Sequence, residues 1–582
     1  MFGLKLNHWI VSFLVLSSLV ISTNTLDQTL TIRLVFFSIL FFGISLYIKK
    51  IILPPKIIFY TAILQVIICV FSFTQAINQE ETRYEILKNC LYLFVFILSF
   101  NLFKKQLFTL KNLFHFSGIV SFILTISILT QLINDYSGDI YVLTALNGHK
   151  NLAASFIFLL LTIKVSYLFS SSVIPKKVFY YFLILLDLGL IFILQSRGVW
   201  LALLVALFGF FIINSLKNKF KNSKYIVLSV LLLILLNVCI YFSLKIVIHK
   251  YEKEKTEFQF TKKEDQERVV LWKKTVQLIA EKPVFGYGGG NWQIAFPKTG
   301  LNEIWRAEDL NVTFQRPHND FLWIICEYGI VGFEIIAFFT LLIFSYVLVF
   351  SDLKKHIIVI IVGLIGFYCF AFFDFPKERI EHSVLLFILL AYLLSNVERN
   401  DFHIQHKYNY PIKVFIIISL FVVLLFSIIR FNSEINVKKI HQSVANNQPH
   451  EIISEVNSAS SLLCSIDSYS MPLHWYSATA YATTNYNTKV YIELRKAYQN
   501  APYNRNVLND LGTIYTLQGK TNKAISYFLK SHSISPRFDE PILNLAVIYI
   551  NLGKIETAKY YMQQLKVDSP RKTEIEMVLK EY

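Results

Sequence analysis

Charge is scarce in this chain. Asp, Glu, Lys and Arg make up 16% of 582 residues, against 54% apolar and 16% aromatic residues. A water-soluble domain carries about 25% charge, so the composition excludes an ordinary soluble protein. Cysteine is also sparse: the six form no paired framework and no Cys/His spacing suited to zinc. Five of them, Cys69, Cys90, Cys239, Cys326 and Cys369, fall in or beside apolar runs and read as small apolar residues. A dinucleotide fingerprint is missing too, because no strand-helix-strand unit surrounds Gly286-x-Gly288. Acidic residues are fewer than basic ones, 39 against 56. The excess basic charge is distributed in a way that points away from nucleic acid.

What the chain does have is length without interruption. Thirteen continuous apolar runs match the thickness of a bilayer, at about 9-24, 31-48, 57-76, 86-103, 113-133, 151-173, 178-195, 199-216, 225-248, 321-350, 357-375, 382-397 and 410-431. They do not alternate, so they are predicted as helices, the form that satisfies its backbone in lipid. The first follows Lys5 without a small-residue cleavage site and is expected to be an anchor. Every even-numbered loop is basic, as at Lys49 and Lys50, Lys104 and Lys105, and Lys354 and Lys355. The loop after the third run, from Gln79 to Arg83, is mildly acidic. This pattern puts the N-terminus and even loops in the cytoplasm and the odd loops outside. Three regions follow: a membrane bundle at 1-431, a loop at 249-320 within it, and a polar tail at 432-582 on the outer side.

The tail repeats. Leu511, Tyr515, Ala524 and Pro536 recur 34 residues later as Leu545, Tyr549, Ala558 and Pro570. That is the tetratricopeptide period and residue pattern. A weaker copy precedes them at Tyr481 and Pro502, with Val490 where alanine is expected. The prolines are expected to end the second helix of each repeat. Solenoid repeats contact mainly their neighbours, so the tail is expected to be separable and to bind a protein partner or serve as a cap.

Unusual polar residues fall at outer loops. His149, Lys150 and Asn151 open the sixth run. Arg197 lies in a tight hairpin between the seventh and eighth. In the long loop, Arg268 and Trp272 are four apart on one helix face, before a run of glycines ending at Gly290 and Asn291. Arg316, His318 and Asn319 precede the tenth run, which carries Gly329 and Gly332. Those two glycines are predicted to share a helix face and admit another helix. Asp374 to Arg379 form the turn between the eleventh and twelfth runs. Taken singly, Arg197 reads as a headgroup anchor, Arg268 as surface, His318 as a helix-start hydrogen-bonder and Asp374 as a cap or turn residue. Together, guanidinium forks suit phosphate, and a histidine beside them can take a proton from a hydroxyl. Asp187, mid-run, is a functional candidate or a buried structural hydrogen bond.

His318-Asn319, nine residues, Gly329, two residues, Gly332 resembles the signature of the O-antigen ligase and polymerase superfamily. Ser196-Arg197-Gly198 resembles its first arginine, Arg268-x-x-x-Trp272 with Pro283-Val284-Phe285-Gly286 its loop-arginine segment, and Phe373-Asp374-Phe375-Pro376 its late outer turn. The resemblance covers 145-400. It implies an all-α, GT-C-like fold acting at the periplasmic face of an inner membrane, without metal or cofactor. The implied activity is inverting transfer of a glycan from an undecaprenyl-diphosphate carrier to an acceptor hydroxyl on lipid A-core, protein or a growing glycan. His318 would be the general base, with Arg197, Arg268 and Arg316, and His149, Asn151 and Asn319, on the substrates. The repeats suggest relatives that glycosylate protein.

Two other classes compete. A lipid or polysaccharide transporter needs polar or broken helices at the midplane, and ionisable residues there are few, chiefly Asp187, Lys164 and Glu334. A scaffold anchor for the repeats would need only one or two spans.

Overall fold

The computed structural model describes residues 6–134, 140–170, 174–216, 263–309, 312–397, 409–484, 487–565 and 570–582. Among these the chain is helical, with two isolated bridges, Ser461 to Cys464 and Ile466 to Pro472, as its only β pairing. The bundle comprises α1 (Leu6–Leu19), α2 (Leu30–Tyr47), α3 (Lys56–Ser72), α4 (Gln79–Lys104), α5 (Leu110–Asn134), α6 (Lys150–Ser170), α7 (Ile174–Ile193) and α8 (Arg197–Leu216). After the amphipathic loop helix α9 (Lys263–Glu281) come α10 (Asp320–Phe350), α11 (Lys355–Ala371), α12 (Ile380–Ser395) and α13 (Asn409–Ala445). The bundle helices share one core, in which Phe96, Phe100 and Phe156 are fully buried, while α9 and the start of α10 pack in a second core with Trp292 and Phe296.

Eight of the described helices are long and apolar enough to cross a membrane. Four more apolar helices, in α1, α7, α11 and α12, are shorter. At 1.5 Å per residue, 14 to 17 residues rise about 21–26 Å, less than the ~30 Å hydrocarbon core. The predicted count of thirteen is therefore not reached by length, and the run at 225-248 lies outside the described residues. The multi-pass helical architecture stands. The run predicted at 410-431 is the first part of α13, which continues unbroken to Ala445.

Asp187 has a partner: it forms a buried ion pair with Lys164 at 2.6 Å. Ser121 accepts a second hydrogen bond from Lys164, so the three tie α5, α6 and α7 together. Lysines from the even loops gather at one end of the bundle. Lys105 donates to the Lys50 carbonyl, and Lys413 to that of Leu46.

The tail continues as α14 (Pro449–Ala459), α15 (Leu473–Thr483), α16 (Asn487–Asn500), α17 (Arg505–Leu517), α18 (Thr521–Ile534), α19 (Asp539–Asn551), α20 (Ile555–Met562) and α21 (Pro570–Lys580). The pairs α17–α18 and α19–α20 are the two strong repeats, and α15–α16 is the weaker copy, with Val490 buried against Ala478 and Leu494. Pro536 follows α18 as expected, but Pro570 opens α21 instead of ending α20. A proline costs nothing at a first helical position, where its missing N–H has no partner to lose.

The tail touches the loop and the bundle at several points. Leu301 in the loop donates to the Ile534 carbonyl at 2.6 Å. Asn78 donates to Ser465 and to the Asn500 carbonyl, and Ser470 donates to Gln293. Arg430 of α13 is buried between Glu81 of α4 and Glu434, and also donates to the Leu463 carbonyl.

Candidate active site

The long helix α10 is broken once. Gly329 has φ 69° and ψ −177°, which interrupts the intrahelical ladder. The freed groups are taken up by the glycine loop. Tyr287 and Gly288 donate to the carbonyls of Cys326 and Glu327, both at 2.9 Å, and Ile330 donates to the Pro283 carbonyl at 2.8 Å. Any Cβ on Gly329 would lie 2.0 Å from the Val284 oxygen, and one on Gly286 2.5 Å from the Glu327 backbone. The two glycines of α10 therefore do not share a face. Gly329 admits a loop, and Gly332 packs against Tyr328, with Ile68 of α3 next. This clasp seats the long loop against the start of α10.

At that start, Asn319 caps α10 by accepting from the Leu322 amide at 3.0 Å. The preceding His318 has φ 54°, in the left-handed region that side chains rarely adopt. Such strain persists only where the surroundings over-determine it, often at functional sites. The surroundings are on both sides. Trp272 donates to the Pro317 carbonyl at 2.9 Å, which brings α9, with Arg268 one turn earlier, within electrostatic range of His318. From the turn after α11, Phe375 meets the imidazole edge-on at 4.7 Å.

Asp374 is the hub. It is buried, accepts from Asn151 at 2.9 Å, and lies 3.8 Å from His318 Nδ1. That is too long for a hydrogen bond but close for charge. Nδ1 has no hydrogen-bond partner among the described residues. Burial pushes the His318 imidazole below its ordinary value; Asp374 opposes this, and Arg268 and Arg316 add to it. His149, on the same carboxylate, is pushed down to about 4, first by burial. Burial pushes Asp374 up, but the facing His318, His149 and Arg268 outweigh it and hold the carboxyl at about 2. Near neutral pH the carboxylate is charged and both imidazoles are neutral, so His318 can accept a proton.

The other expected residues fall into place unevenly. Arg316 is engaged: it pairs with Glu378 and stacks on Phe375 at 4.8 Å. Lys150 donates weakly to the Leu194 carbonyl and covers Tyr141. Arg197 opens α8 at the surface, where Gly198 packs on Phe370, four residues before Asp374. Asp374, Trp272 and Phe375 are absent from the residues first assigned to the site. Asp374 was visible only as a turn residue, because nothing in its own neighbourhood shows that two histidines from other loops face it.

Residues 182–337 match the O-antigen ligase family. The matched segment holds Arg197, Arg268, Arg316, His318 and Gly329, while His149 and Asp374 lie outside it. It supports a membrane protein of glycan ligase or polymerase type with glycosyltransferase-like activity. Residues 506–538 match a tetratricopeptide repeat. No curated protein matches the chain significantly. Two solved crystal structures of MamA resemble it at 18% identity and TM-score 0.21, over 31% and 30% of this chain and 98% and 90% of theirs.

Proposed function

We propose that the protein transfers a glycan from a polyprenyl-diphosphate carrier to an acceptor hydroxyl, with inversion, at the outer face of an inner membrane. The observation that carries this reading is His318 in a left-handed backbone at the start of α10, 3.8 Å from the Asp374 carboxylate and next to Pro317, to which Trp272 of the Arg268 helix is bonded. His318 takes the proton of the attacking hydroxyl as the C–O bond to the anomeric carbon forms, and the carrier diphosphate leaves with the electron pair. Arg268 holds the diphosphate, with Arg197 at the nearby surface as second contact. Arg316, bound to Glu378, shapes the site through Phe375. Asp374 stabilises the imidazolium that forms. A largely apolar cavity of about 580 Å³, lined by Phe321, Ile324, Phe333 and Phe344 with Asp320 and Lys377 at its polar end, suits part of the polyprenyl chain. The acceptor is lipid A-core, a protein hydroxyl or a growing glycan. The repeats favour a protein partner.

The test is transfer by the purified protein from a lipid-diphosphate oligosaccharide. Arg268→Ala should weaken use of the donor, and Arg268→Lys should restore it only in part because lysine lacks the planar fork. Unchanged donor kinetics in both variants at equal expression would leave Arg268 a surface residue.

A further inference from the structure

A second, polar cavity of about 120 Å³ lies between the bundle, the glycine loop and the C-terminal region. Arg316 joins it to the site above, since its guanidinium forms part of the cavity wall and stacks on the Phe375 ring that His318 meets. Four residues of this wall each carry a buried atom with no hydrogen-bond partner among the described residues: Thr31 Oγ1, Tyr84 Oη, Arg316 Nε and Glu378 Oε2, the last with the Arg379 Nε charge 3.8 Å away. An unsatisfied buried polar atom costs about 1–3 kcal/mol, and such atoms are few in a native structure. Four on one wall mark a place where something else supplies the partners.

The chemistry of that partner can be read from the wall. Arg316 Nε donates, Glu378 Oε2 accepts, and the two hydroxyls do either. Adjacent hydroxyls, each both donor and acceptor, match this set. Carboxylates outnumber bases on the wall, seven to three, which disfavours phosphate and acidic sugars. A free cation is disfavoured as well, because the carboxylates are engaged: Asp27 by Arg379, Glu81 by Arg430, Glu378 by Arg316. Trp323 and Tyr84 contribute aromatic surface. At ~30 Å³ per water the volume equals about four waters, enough for one edge of a sugar ring.

We propose that this cavity is a saccharide subsite, holding the hydroxyls of a neutral sugar unit of one of the two glycan substrates. It rests on the transferase reading, and it names the substrate chemistry that the repeats alone do not.

Thr31→Val and Tyr84→Phe each delete one unpartnered hydroxyl at nearly constant volume, and Thr31→Ser keeps it. In nanodiscs without ligand, neither deletion should lower Tm, because no hydrogen bond is lost. Neutral disaccharides of glucose, galactose and N-acetylglucosamine, with a glucuronic-acid disaccharide as control, are the probes for saturation-transfer NMR. At least one neutral disaccharide should bind, the anionic one should not, and the signal should fall at least fivefold in both deletions but not in Thr31→Ser. In the transfer assay a raised KM for the lipid-linked donor assigns the subsite to the donor glycan, and a raised KM for the acceptor assigns it to the acceptor. Binding that responds to the deletions in a protein that transfers nothing would support the subsite and sink the transferase reading. Signals unchanged in the deletions would mean ordered water only. That result, no neutral binder, or a preference for the anionic sugar would overturn the proposal.

Discussion

At the scale of single residues, His318 feels two charges of opposite sign on top of the burial that lowers its proton affinity most. Arg268 depresses its proton affinity and Asp374 raises it. A general base works when neutral, so transfer should rise with pH through the His318 pKa and level off below the pH at which a free imidazole would. Asp374→Asn should move that acid limb to lower pH, and Arg268→Ala should move it higher. Rate profiles in which both variants shift the same way would break the assignment. The base itself is best tested with His318→Asn, since asparagine tolerates the left-handed backbone that alanine resists. Transfer should fall on the order of 100- to 10,000-fold with carrier binding intact, and a wild-type rate in that variant would leave His318 structural. Most residues of this candidate site could be named from the sequence because histidine and arginine at loop ends are chemically conspicuous. Asp374 was not, because its importance comes from three side chains more than fifty residues away in sequence.

Among elements, the broken α10 and the glycine loop form one unit. Gly329→Ala meets a backbone region that only glycine occupies and a contact of 2.0 Å with the Val284 oxygen. Taken at about 1–3 kcal/mol each, the two effects cost about 2–6 kcal/mol together. The clasp should open, and protease cleavage in the 283–290 loop should increase sharply while α3 and α4 stay protected. Gly332→Ala also meets a close contact, 2.4 Å to Tyr328 Cβ, but none of the atoms it would meet belongs to the loop, so the loop should stay protected in that variant. Equal protease sensitivity of the two variants would count against the clasp. Spacing alone showed that both glycines mattered, but the same spacing describes a continuous helix face equally well. Only the partner at each glycine separates the two, and hydrophobic periodicity carries no information about a loop that comes from forty residues upstream.

The whole molecule is more tightly joined than its sequence regions suggest. The apolar runs and the 34-residue period were legible because each is a repeated local signal; the junction was not, because Asn78, Arg430 and Leu301 look like ordinary polar or apolar residues until their partners are known. Removing 446-582 takes away the Leu463 carbonyl from Arg430 and the Ser465 and Asn500 partners from Asn78. The truncated chain should therefore show a lower Tm than the full protein, and an unchanged Tm would mean that these contacts contribute little. Orientation has its own check: an externally active reporter fused after Asn447 should work, and one fused after Lys50 should stay silent. The reverse pattern would invert the bundle. The unbroken α13 has a mechanical meaning as well. Its 37 residues rise about 55 Å, well beyond the ~30 Å of hydrocarbon. With Ser427 against Ser38 of α2 and Arg430 locked to Glu81, it is a mast stepped into a deck: the C-terminal region rides at a set height and azimuth, and each residue inserted above Arg430 would swing it by about 100° and carry Asp467 and Ser468 away from the polar cavity they help to close.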